Sequence, residues 1–99
     1  MEVHVPETLR DLEPELRYFF ETMVQKLNVN RHKGNFGADM DVLRAGMRAE
    51  YDEMHTAINK ESQFDVFLEA ADVANFALLI GASALRKDKA TFEEERNAG

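Results

Sequence analysis

Four carboxylates at matched spacing are the residues of this 99-residue chain best suited to chemistry. Glu50 and Glu53 form one i, i+3 pair; Glu69 and Asp72 form a second, on the next helical segment. A separation of three places both members of a pair on one helix face. If the two helices pack antiparallel through a short turn, the pairs lie at comparable distances from that turn and converge. Carboxylates gathered in this way repel one another unless they protonate or share a cation. Hard divalent ions favour oxygen ligands, and Mg²⁺ commonly binds phosphates beside one or two carboxylates, so Mg²⁺, or Mn²⁺ in its place, is the expected ligand. There is no cysteine, and His4, His32 and His55 show no ligand spacing, which does not suit zinc. A plainer reading competes: such acid pairs are common on solvated helix faces, and Arg31, Arg44 or Arg48 could pair with the acids of the third helix.

These residues need helices to position them. Leu9, Leu12, Leu16, Phe19, Phe20, Met23, Val24 and Leu27 recur at spacings of three and four, which predicts a helix over 8–28. Pro14 marks either its true first turn or a kink near its start. From Asn28 to Gly37 the periodicity stops in a loop of turn formers carrying Arg31, His32 and Lys33. A second helix is predicted over 38–58, with Asp39 as its cap. Its seam reads Leu43, Met47, Glu50, Met54, Ala57, so Glu50 occupies a slot otherwise filled by apolar side chains. Gly46 and Ala57 flank the acids with small residues, leaving room for another backbone or a ligand. After a turn at Asn59 to Glu61, Ser62 and Asp65 suggest a capping box opening a third helix over 63–87. That helix is apolar on almost every side, yet carries Glu69, Asp72 and Asn75 at i, i+3 and i+6. The charged segment 88–99 is expected to be peripheral, with Phe92 able to dock back on the body.

The fold class that follows is all-α, a single domain forming an antiparallel helical bundle. Two amphipathic neighbours cannot cover a third helix that is apolar all round, so the bundle is expected to be completed by oligomerisation, with Gly81, Ala82 and Ala84 permitting close packing. A formal charge of -7 argues against binding nucleic-acid polymers or anionic membranes. The continuous weakly polar run from Val73 to Leu85 is short for a bilayer span, and the N-terminus lacks a signal pattern; a cytoplasmic location is expected.

In their surroundings these residues resemble the MazG-like, all-α nucleoside triphosphate pyrophosphohydrolases, whose pattern is E-x-x-E followed after a short gap by E-x-x-D. Here it reads Glu50-Tyr51-Asp52-Glu53, then Glu69-Ala70-Ala71-Asp72. The run from Glu69 to Ile80 looks like that family's third helix, and Lys26 through Gly34 like the exit from its first, so the resemblance spans about residues 16–85. It implies a four-helix core and cleavage between the α and β phosphates, giving the monophosphate and pyrophosphate. Glu50, Glu53, Glu69 and Asp72 would hold Mg²⁺, and Glu53 would orient or deprotonate the attacking water. Lys26, Arg31 and Lys33 would contact phosphates; Phe36 and Asn75 would contact base or sugar. Two features depart from the pattern: Ala49, where many members have an acid, and Arg86-Lys87-Asp88-Lys89 giving way to Glu93-Glu94-Glu95. A related enzymatic alternative is phosphoribosyl-ATP pyrophosphohydrolase. From a different class, a non-catalytic acidic interaction module would use the same acids for salt bridges.

Overall fold

The computed structural model of the protein describes residues 4–60 and 62–98, and of His32 and Asn35 the backbone alone. The predicted turn at Asn59 to Glu61 includes Glu61, which lies outside the described residues. Every regular element among them is helical: α1 (Glu13–Asn30), α2 (Met40–Asn59), α3 (Gln63–Lys87) and α4 (Lys89–Ala98).

The first helix begins later than periodicity predicts. Glu7–Leu12 winds as a 3-10 segment, and Pro14 takes the second position of α1, where its missing N–H costs no hydrogen bond. Of its two readings, Pro14 therefore marks a true first turn. At the other end α1 continues to Asn30 and passes into short 3-10 turns, Arg31–Lys33 and Asn35–Gly37. Gly34 between them has φ +82°, a left-handed conformation that glycine adopts without penalty.

The cap of α2 forms as expected, the Asp39 side chain accepting a 3.0 Å hydrogen bond from the Val42 N–H. At the start of α3, Ser62 has extended cap geometry, but its side chain makes no capping bond, so the predicted capping box is not closed. Lys89–Ala98 is helical, solvent-exposed along its length and tied internally by a Lys89–Glu93 pair at 3.9 Å, a peripheral placement for this part of the segment. Phe92 stays 47% exposed and does not dock deeply.

The α2–α3 hairpin is the body of the molecule. Its antiparallel sense shows in the facing pairs Gly46 with Phe76 and Glu50 with Asp72, where one number rises as the other falls. Among the described residues, Leu43, Ala57 and Ala71 are the buried apolar side chains. Gly46 does not provide spare room as its size suggests, because the Phe76 ring lies against it and a Cβ there would collide with the ring. Helix α1 joins the hairpin through α3: the Phe67 ring packs against Tyr18 at 5.1 Å and edge-on against Phe19 at 5.5 Å between centroids.

Much apolar surface remains uncovered. Leu16 and Val24 on α1, Ile58 on α2, and Phe64, Leu78 and Leu85 on α3 are all exposed. The accessible surface, 7738 Å², exceeds the roughly 5,700 Å² expected of a compact 11.3 kDa monomer. The radius of gyration, 15.5 Å, likewise exceeds the about 12.6 Å expected for this length. Helix α3 as a whole also has the length and composition of a membrane span, which the shorter run Val73 to Leu85 does not; 17% of its most apolar window is buried here.

Candidate metal centre

The i, i+3 spacing and the hairpin together bring the acids of α2 and α3 to one place. One carboxylate oxygen each from Glu50, Glu69 and Asp72 lie within 4.8 Å of one another. Glu50 gets there because it occupies the apolar seam between Leu43 and Ala57. Glu69 and Asp72 get there because the face of α3 that carries them is covered by α2 on one side and α1 on the other.

Glu53 stands differently. Three residues advance a helix by about 300°, so Glu53 is rotated roughly 60° from Glu50. It is exposed at the rim, outside the close triangle, yet its carboxyl still reaches both Glu50 and Glu69.

Electrostatics mark the cluster as under-compensated. Burial, then the contact with Glu53, then the negative charges of Asp72, Glu53 and Glu69 push the Glu50 carboxyl up to about 7. Burial first, then the Glu53 contact and the Glu53 and Asp72 charges, also push Glu69 upward, with a hydrogen bond from Glu50 pulling partly back. As carboxylates, Glu50 Oε2 and Glu69 Oε2 are buried with no donor facing them. A proton shared among the acids, or a cation, is what such oxygens need.

One cation is already supplied by the chain. Lys26 Nζ lies 3.0 Å from Asp72 Oδ1, with both side chains about three-quarters or more withdrawn from solvent. The arginines considered from sequence do not take this place: Arg44 faces Asp41 on its own helix at 3.8 Å, and Arg31 lies over the Phe36 ring, 4.8 Å from its centroid.

Beside the acids is a cavity of about 130 Å³. Lys26, Lys33, Phe36 and Asn75, four of the five expected substrate contacts, line it; Arg31 does not. Asn75 is only 7% exposed. Its Nδ2 donates to the Met23 carbonyl at 3.1 Å, and its Oδ1 is buried without a partner. Asn30 and Phe76 also line the cavity, although sequence reasoning passed over them. A signal existed for both, because Asn30 lies at i+4 from Lys26 and Phe76 at i+4 from Asp72, on the same helix faces. A larger groove of about 610 Å³ runs along α1 past Leu16, Phe20 and Val24, but it is remote from the acids and mostly apolar. The smaller cavity is the one with convergent polar groups, and those decide where chemistry can occur.

No family model, curated protein or solved structure shows a significant match to this chain.

Proposed function

We propose that this protein is a Mg²⁺-dependent nucleoside triphosphate pyrophosphohydrolase of the MazG-like kind, releasing the monophosphate and pyrophosphate. One observation carries the reading: as carboxylates, Glu50 on α2 and Glu69 on α3 each have a buried oxygen without a donor, in a triangle of oxygens that Asp72 closes. The donor set is all oxygen and suits Mg²⁺ or Mn²⁺. Bound there, the ion would neutralise charge developing on phosphate oxygens.

The chain's own residues supply the rest. Glu50, Glu69 and Asp72 hold the cation, and Glu53, at the rim and solvent-accessible, accepts a proton from the attacking water. Lys26 and Lys33 place two positive charges on the cavity wall for phosphate oxygens. Asn75 lines the same cavity with its Oδ1 unpartnered, and Phe36 offers a flat apolar wall. A cavity of about 130 Å³ is well below the roughly 300–1,000 Å³ of whole-ligand pockets. It accommodates the phosphate end and leaves the nucleoside outside, so additional covering surface is required for nucleoside specificity.

That covering surface fits the excess of exposed apolar area. We read the protein as a cytoplasmic homo-oligomer, its partner copy completing the bundle. A sedimentation experiment returning only monomer at tens of micromolar would remove this part of the reading.

The Lys26–Asp72 pair is also what a non-catalytic module with salt-bridged acids would contain. Pyrophosphate release from a panel of nucleoside triphosphates and phosphoribosyl-ATP, with and without Mg²⁺ or Mn²⁺, separates the readings. Metal-dependent release is expected, with loss of it in Asp72→Asn. Silence across the panel, together with no rise in melting temperature at millimolar metal, would leave the module.

A further inference from the structure

Lys26 occupies a place that the proposed cation also needs. Its ammonium is 3.0 Å from Asp72 Oδ1, in a pair largely withdrawn from water, and the same side chain lines the cavity beside Lys33. Asp72 belongs to the triangle of oxygens within 4.8 Å, so an ion held by all three would lie close to the ammonium. The cavity also holds a second, independent sign of a ligand: Asn75, more than nine-tenths buried, has its Oδ1 unpartnered there.

We propose that Lys26 is a resident counter-ion that holds Asp72 in the metal-free protein and must release it when a divalent cation binds, turning to the phosphate side of the same cavity. This rests on the metal reading above and adds a competition to it. Without cation, the ammonium offsets one carboxylate of the cluster and ties α1 to α3 beside the Asn75–Met23 hydrogen bond. With cation, repulsion drives the ammonium from Asp72, and an incoming phosphate gives it a new anion. Metal alone is therefore held weakly, and metal with phosphate is held well. Lys26 acts as a positioning residue that links the two binding events.

The test uses Mn²⁺ alone, titrated into the metal-free 99-residue protein and followed by the electron paramagnetic resonance signal of free Mn²⁺. Lys26→Met removes the competitor; Lys33→Met removes the same charge from the same cavity without touching Asp72. Lys26→Met should bind Mn²⁺ about tenfold tighter than wild type, and Lys33→Met no more than about twofold tighter. Lys26→Arg, which keeps the charge, should stay near wild type. Adding inorganic tripolyphosphate should tighten Mn²⁺ binding more in wild type than in Lys26→Met. If Lys26→Met folds poorly, Lys26→Gln carries the same comparison. Unchanged or weaker Mn²⁺ binding in Lys26→Met and Lys26→Gln, or equal tightening by Lys33→Met, would overturn the competition while leaving the metal site standing. Wild-type protein that binds no Mn²⁺ would overturn both the site and the role given to Lys26.

Discussion

Glu69→Gln is expected to make the metal-free protein more stable and the metal-loaded protein inactive. Glu69 Oε2 is buried without a donor, and the surrounding negative charge opposes its ionisation. A glutamine of the same shape removes that charge and brings an amide that donates to Glu50 or Glu53. At pH 8 the metal-free melting temperature should rise by several degrees, since about 1 kcal/mol corresponds to roughly 4–8 °C in a domain of this size. Turnover should fall by more than about a hundredfold, beyond the roughly 10–100-fold that losing an outer-shell partner produces. The rise in stability shows that the inactive variant is folded. Wild-type turnover in Glu69→Gln would take this residue out of the site.

The second expectation concerns pH without metal. Glu50 ionises near 7 when folded, against 4.5 as an unperturbed group. The folded state therefore binds the extra proton in that interval, and stability grows where protons are available. The contribution is fully present below pH 4.5 and is lost as pH rises through 7, with Glu69 shifted in the same direction. Melting temperatures of metal-free protein should fall from pH 5 to pH 8. Saturating Mg²⁺ should abolish or reverse the slope, because the ion takes the ionised carboxylates and its binding releases their protons. A flat metal-free profile over that range would mean the acids are solvated and independent.

The helices were largely legible because their signals are local. The seam from Leu43 to Ala57 and the Asp39 cap on α2 each depend on residues within one or two turns. The start of α1 was not legible, since a spacing of three fits a 3-10 segment as well as an α-helix, and Leu9 and Leu12 satisfy both. Gly46 was misread for a different reason: its neighbour, Phe76, is thirty positions along the chain, and only the hairpin register brings them together. At the site, the i, i+3 spacing anticipated the approach of Glu50, Glu69 and Asp72. It did not separate Glu50 from Glu53, whose roughly 60° of rotation sends one carboxylate into the seam and the other to the rim. The Lys26–Asp72 pair was invisible because it joins two helices with a third between them in sequence.

The contact between Gly46 and Phe76 gives the site an adjustable depth. The ring rests on the one position of that α2 stretch with no side chain, and the same ring lines the cavity. Any carbon added at position 46 would collide with the ring, and the cavity wall that the ring forms would have to shift with it. The size of that cavity is therefore coupled to position 46, a residue that does not itself line it.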